Sequence, residues 1–174
     1  SVKIYDPHPP FIPPRSYADR FDPAAMPGPH FLPSDLATQQ ELAKVDFQGE
    51  ALEPEGHDAQ RCQALYYAMI NQIDDQLARI LETLEETGQR ENTVVIFTSD
   101  HGEMLGAHGY VAKMLMYEES VRVPCVMTWP AGLGAPLAIN TPLGGVDLMP
   151  TLLDLAGIPL TRPIDGRSVA DALR

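Results

Sequence analysis

From Asp58 to Thr87 the positions Leu65, Met69, Ile73, Leu77, Ile80, Leu81 and Leu84 recur at three- and four-residue steps. Apolar residues at that period predict a long amphipathic helix with one face on a core, and Gly88 is placed to stop it. The run "NTVVIFTS" that follows is short, β-branched and almost continuously apolar. That is the pattern of a strand buried on both faces in a parallel sheet. Helix, tight turn, buried strand and Gly-rich loop in this order restrict the chain to the α/β class.

The flanking regions read differently. Residues 6–33 hold nine of the 17 prolines, in "DPHPPFIPPRSYADRFDPAAMPGPHFLP". Proline fixes φ and removes a backbone donor, so this stretch should lie extended over a scaffold without elements of its own. Residues 34–57 are polar and suggest only a short helix near 35–45. A second helix is expected from about Met114 to Val121, followed by "VPCVMTWP", a second buried strand ended by Pro130. After a Gly/Pro-rich connection, "GVDLMPTLLDLAG" predicts a helix with Asp147 to cap it and Gly157 to end it. The tail "IPLTRPIDGRSVADALR" reads as a loop and a terminal turn, and no internal repeat or low-complexity segment is evident.

Size and charge narrow the function. The 174 residues, 44% of them hydrophobic, suit one soluble globular domain with a sizeable core. With 24 acidic against 12 basic residues the net charge is −12, which repels nucleic acid and anionic membrane alike. An anionic small substrate would need a local cluster of positive charge or a bound cation. Cys62 and Cys125 are too few and too far apart for a disulfide framework or a zinc pattern, so both read as reduced core residues. No apolar run approaches the roughly 18–20 residues of a membrane span. The start "SVKIYDPHPP" has neither an initiating Met nor a signal-peptide build, which leads us to expect a chain that begins inside a longer protein.

The stretch "FTSDHGEMLGAHG", residues 97–109, concentrates the chemistry. In open α/β sheets, ligand-binding groups collect at the carboxyl ends of the strands. Asp100 and His101 stand there, and a carboxylate beside an imidazole can coordinate a divalent cation while Gly102 lets the backbone turn away closely behind them. Local chemistry equally allows Asp100 to cap the next turn and His101 to be a solvated loop residue.

A wider pattern bears on that choice. "NTVVIFTSDHGEMLGAHGYVAKMLMYEESVRVP" closely resembles the stretch of type I sulfatases, in the alkaline phosphatase superfamily, that runs from a core strand through an S-D-H-G or S-D-N-G turn to a lysine and an aromatic-E-x-S-x-R-V-P segment. Three more segments resemble the family in the same order. "DPHPPFIPP" is similar to its P-H-x-P-F loop, "LEETGQRENT" to its L-x-x-x-G-x-x-x-N-T approach, and "VDLMPTLLDLAGIP" with "DGRS" to its D-x-x-P-T-L-L-x-L-A-G-I-P and D-G-x-S region. The resemblance covers nearly all of the chain except about 34–57. It implies an incomplete three-layer α/β/α sandwich of alkaline phosphatase/sulfatase type. Within it, 1–33 would be a Pro-rich active-site loop, 58–130 the helix, strand and metal-loop core, and 145–174 a helix and tail.

The resemblance also implies roles. Asp100 and His101 match the two metal ligands supplied by the C-terminal half of the family's site. Many sulfatases have Asn where this chain has His101, whereas some phosphonate monoester hydrolases and choline-sulfatase-like members have His. Calcium is the usual sulfatase ion, and an imidazole also suits manganese or zinc. Lys113 matches the lysine that contacts the sulfate oxygens, where an ammonium can neutralise non-bridging charge. His8 matches the histidine that approaches the bridging oxygen and donates to the leaving group. His108 follows Ala107, where the family more often has an acidic residue, and reads as structural or at the rim. His30 and His57 have no motif partner and read as surface residues. Tyr117, Glu118, Glu119 and Arg122 belong to the signature and read as supports of the fold.

Two family features are absent from these residues. The formylglycine nucleophile arises from the first residue of C-x-P-S-R, but Cys62 is followed by "QALYY" and Cys125 by "VMTWP". No paired aspartates follow an apolar N-terminal strand, and Asp74-Asp75 falls mid-helix. The chain therefore reads as the middle and C-terminal part of a catalytic domain, inactive alone, whose parent hydrolyses small sulfate esters or related phosphate or phosphonate monoesters. Two other readings stand beside it: a metal-dependent phosphotransferase or phosphomutase of the same superfamily with a Ser or Thr nucleophile, and a non-catalytic remnant that only binds. Lacking its first strands, such a piece would expose a sheet edge or apolar face, which predicts a homo-oligomer or aggregation.

Overall fold

The computed structural model describes residues 1–39 and 50–173. Eight regular elements carry the description: α1 (Arg15–Ala18), α2 (Pro33–Gln39), α3 (Ala59–Glu86), β1 (Val95–Thr98), α4 (Glu118–Val121), β2 (Cys125–Thr128), α5 (Gly145–Leu155) and α6 (Ala170–Leu173). They fall into two compact units. The first comprises Ser1–Glu82 and His101–Val123, the second Thr83–Asp100 and Pro124–Arg174.

The first unit is organised on α3, which occupies the predicted stretch to within a residue at each end. Its buried face differs from the expected stripe. Ala59, Gln63, Ala64, Ala68, Met69 and Ile73 are buried, Leu77, Leu81 and Leu84 are half-buried, and Ile80 is exposed. Small alanines in the N-terminal half let other chain segments approach closely, a fit that apolar spacing alone does not reveal. Gly88 ends the helix at φ 67°, where the Gln89 N–H donates to the Leu84 carbonyl at 2.9 Å.

The Pro-rich segment does lie over this helix. Tyr17 Oη donates to Asp75 at 2.8 Å, an Arg20 guanidinium N–H donates to Asn71 at 2.7 Å, and the Gly28 N–H donates to the side chain of buried Gln63 at 3.1 Å. Phe11 and Phe21 stand edge-on to Tyr66 and Tyr67. Prolines leave few backbone donors to satisfy, so side chains do the anchoring. Contrary to expectation, the segment does form elements: the single helical turn α1 and a 3-10 turn at Pro23–Ala25, capped by Asp22. The helix expected near 35–45 is present as α2, while 40–49 lie outside the described residues.

The core of this unit is made by a loop. Met104, Ala107, Tyr110 and Leu115 form a buried cluster, with Ala51 and Tyr117 packed against it. The helix predicted for Met114–Val121 shrinks to α4, Glu118–Val121. Leu115 and Tyr117 reach the same cluster two positions apart, which an extended backbone permits and a helix does not.

In the second unit β1 pairs antiparallel with β2, Val95 opposite Thr128 and Thr98 opposite Cys125. The expectation of strands buried on both faces in a parallel sheet is corrected: Phe97 is 38% and Val126 60% exposed. An apolar run signals burial potential but carries no information on strand direction. Among the described residues each strand has one neighbour, so each keeps an open edge. Cys125, expected in the core, is accordingly exposed on β2, and Cys62 is half-buried on α3 with its thiol pushed up by burial.

Helix α5 is predicted correctly but capped differently. Gly144 is its N-cap, and Asp147 reaches back from the third helical position to accept the Gly144 N–H at 2.9 Å. The same carboxylate accepts the Arg167 N–H at 2.9 Å, and these two amides hold Asp147 below the usual carboxylate range. The D-G-R-S segment is laced onto α5 further along, through Ser168 Oγ to Asp154 at 2.6 Å and the Val169 N–H to Thr151 Oγ1 at 3.1 Å. Pro150 cannot donate to the Val146 carbonyl one turn earlier. Gly166 lies against that carbonyl, where a Cβ would overlap it.

Candidate functional site

Lys113 and His8 are 105 positions apart in the chain, yet Lys113 Nζ lies 2.7 Å from His8 Nε2. The histidine is set by its loop. Its backbone N–H donates to the Tyr5 carbonyl at 3.1 Å, its ring lies 4.7 Å from the Tyr5 ring, and Nδ1 is 2.8 Å from the Pro9 carbonyl oxygen. A carbonyl can only accept, so Nδ1 carries the proton and Nε2 presents its lone pair to the ammonium. An ammonium and an imidazole are thus held together in an otherwise acidic chain.

The His101 ring stands edge-on to His8, with centroids 6.1 Å apart. Its Nδ1 is 2.8 Å from the Gly102 carbonyl oxygen, which by the same reasoning leaves Nε2 as the lone-pair nitrogen. A backbone carbonyl that fixes the tautomer in this way is the usual support of a metal-binding imidazole. Asp100 precedes it, exposed at the carboxyl end of β1. The donor chemistry of the two residues therefore fits a divalent ion. They suffice for only part of a coordination sphere, and among the described residues no group of three or more His, Cys, Asp or Glu is arranged to hold a metal.

Gly102 explains how this loop is seated. Its N–H donates to the Ser120 carbonyl at 2.7 Å, and a Cβ would overlap the Glu119 carbonyl oxygen. Only glycine permits that approach to α4. A second buried residue, not singled out in the sequence, is Glu103, whose side chain is 4% exposed and lies 4.0 Å from Lys113 Nζ. Burial raises its carboxyl above the usual range, opposed by Lys113, by the backbone N–H groups of Met104 and Ala112 that it accepts, and by His101. The only sequence signal was an acid beside apolar Met104 in a glycine-rich turn, and nothing in it says that the side chain faces inward.

The remaining histidines have structural settings. His108 stacks on Tyr117 at 4.1 Å with the rings 14° apart, between Asp35 at 3.5 Å and Glu119 at 3.7 Å. Its backbone N–H donates to the His30 carbonyl at 2.8 Å, which ties the loop to the residues ahead of α2. His30 is exposed, with its ring 5.3 Å from that of His108. His57 is half-buried and bonds the Gly109 carbonyl at 2.8 Å, so it is not the free surface residue expected. Glu118 and Arg122 form an exposed pair on α4 at 3.6 Å.

In the first unit an imidazole thus stands beside a lysine–histidine pair. A protein-family model described as Sulfatase matches residues 5–158. The chain is 34% identical over 169 residues to the uncharacterized sulfatase YidJ of Escherichia coli, covering 97% of this chain and 33% of that protein. The crystal structure of the phosphonate monoester hydrolase of Agrobacterium radiobacter superposes with a TM-score of 0.86 at 31% identity, over 97% of this chain and 36% of that one. A structure of BT4656 in complex with its substrate D-glucosamine-2-N,6-O-disulfate gives a TM-score of 0.64 at 34% identity, over 79% and 27%. The chain belongs to the sulfatase family. Its fold is part of the alkaline-phosphatase-like α/β/α sandwich, and it spans about a third of the length of the relatives it matches.

Proposed function

We propose that the enzyme carrying this chain hydrolyses sulfate monoesters, with Lys113 and His8 acting on the sulfate group and Asp100 and His101 contributing to a divalent-metal site. The observation that carries the reading is the 2.7 Å contact between Lys113 Nζ and His8 Nε2. An ester sulfate presents non-bridging oxygens that match the Lys113 ammonium and a bridging oxygen that needs a proton as its bond to sulfur breaks. Lys113 binds the former. As the ester oxygens take over the ammonium hydrogens, His8 Nε2 leaves the Lys113 contact, takes up a proton from solvent and, held through Nδ1 by Pro9, donates it to the latter, so that the leaving group departs as the neutral alcohol or phenol.

Family membership brings metal dependence. We assign calcium as the ion, with manganese and zinc as the alternatives an imidazole ligand suits. The bound ion supplies fixed positive charge that neutralises sulfate oxygens and favours the ionised form of a nearby nucleophile. The nucleophile is assigned to a formylglycine in the longer protein, because no C-x-P-S-R occurs in these 174 residues.

A second reading is hydrolysis of phosphonate or phosphate monoesters, favoured by His101 following Asp100 and by the likeness to the phosphonate monoester hydrolase. Full-length, metal-loaded enzyme assayed with an aryl sulfate and the corresponding aryl phosphonate monoester tests both. The sulfate reading expects the higher kcat/KM on the sulfate; the reverse order selects the second reading, and no turnover of either removes both.

The chain alone is assigned no activity and is assigned self-association. Phe97 and Val126 on the strands, and Val146 and Met149 on α5, are large exposed apolar groups. A monodisperse monomer in light scattering contradicts that assignment.

A further inference from the structure

We propose that Glu103 is a positioning residue for Lys113: its buried carboxylate draws the ammonium into place beside His8. The inference rests on the role given to Lys113 above.

Three observations support it. Glu103 is an acid whose side chain is only 4% exposed, and a desolvated carboxylate requires partners. Ala112 is a non-glycine residue at φ 69°, a left-handed conformation that the surroundings must enforce. The Met104 N–H donates to the Ala112 carbonyl at 2.8 Å, which ties that residue to the peptide joining Glu103 and Met104. Lys113 follows directly, and the direction of its side chain is inherited from this pinned residue.

The partner of the carboxylate is Lys113. Its Nζ stands 2.7 Å from His8 Nε2 and 4.0 Å from Glu103 Oε2. The shorter contact is a hydrogen bond; the longer one exceeds that range and acts as charge attraction. Glu103 therefore holds the ammonium without taking its hydrogens, which stay available to His8 and to the oxygens of an anionic ester. A carboxylate at hydrogen-bond distance would compete with the ester for those donors. Burial keeps Glu103 in place and away from water, as expected of a group that orients another.

The test is a double-mutant cycle in the full-length enzyme, with aryl sulfate turnover and thermal melting as readouts. Glu103→Gln keeps the size and shape of the side chain but loses the charge. Alone it should lower kcat/KM roughly tenfold to a hundredfold, mainly in kcat, and Glu103→Asp should recover part of that loss. In the Lys113→Ala background the same Gln change should alter kcat/KM by no more than about twofold, because the residue it acts through is gone. Loss of the same size in both backgrounds overturns the inference, as does an Asp variant no better than Gln. If neither variant folds, Glu103 is a determinant of the fold and the inference is likewise overturned. Should Lys113→Ala keep full activity while wild-type enzyme turns over the ester, the assigned role of Lys113 fails first, and the inference falls with it.

Discussion

The loop from His101 to Ser120 and the strand pair β1–β2 reverse the usual division of labour. Loops ordinarily lie on the surface while strands supply the core. Here the loop contributes the buried cluster of Met104, Ala107, Tyr110 and Leu115, whereas Phe97 and Val126 on the strands stay exposed. Loop backbone can be buried only if its polar groups find partners. It finds them in the Gly102 bond to Ser120, the Met104 bond to Ala112, the Gly106 bond to Tyr110 and the His108 bond to His30. On the proposed function, groups that meet an anionic ester with little freedom are better held by such a cross-bonded loop than by the open strand edges of the second unit.

The largest test of that contrast is Lys113→Ala in the full-length enzyme, expected to reduce kcat/KM by about a thousandfold, since on the proposed role it removes a fixed charge at the sulfate oxygens. A loss below about tenfold would mean that the loop's burial serves stability alone. His8→Asn should cost about a hundredfold on an alkyl sulfate and much less on p-nitrophenyl sulfate, whose leaving group needs no proton. Equal losses on both substrates would take the role of proton donor away from His8. Gly102→Ala, which forces a methyl against the Glu119 carbonyl, should destabilise the enzyme by about 1–3 kcal/mol in chemical denaturation. An unchanged midpoint would show that the loop is less tightly seated on α4 than the contact implies.

The smallest effect belongs to the second unit. Asp147 has its carboxyl lowered in the folded chain, first by the Arg167 N–H and then by the Gly144 N–H. A depressed folded value means that the carboxylate adds stability above its ordinary value of 3.8 and that the gain fades as pH falls through the lower folded value. Asp147→Asn should therefore lower the melting temperature slightly at neutral pH and converge with the unmodified protein in strong acid. A difference that persists unchanged into acid would assign the effect to side-chain geometry instead of charge.

Much of this was legible in the residues. The extent of α3, its stop at Gly88, the positions of β1 and β2, and α5 with its Gly157 end all follow from apolar period and turn chemistry. The error at α4 is informative, because Leu115 and Tyr117 look helical until both are seen to enter one cluster. The error at the strands has another origin, for direction of pairing depends on neighbours far away in the chain. Glu103 is not marked by the sequence for a third reason: burial of a charge is a property of its surroundings, and its own segment carries no trace of it.

By itself the sequence determined the α/β class, the lie of the Pro-rich segment and, through resemblance, the family and the candidate residues. These depend on short-range periodicity, fixed φ at proline and ordered motifs. Tertiary structure alone decided that His8 and Lys113 meet at 2.7 Å, that Glu103 stands behind the lysine, and which face of α3 is buried. Contacts across some hundred positions arise from the packing of many side chains at once, and no local pattern encodes them.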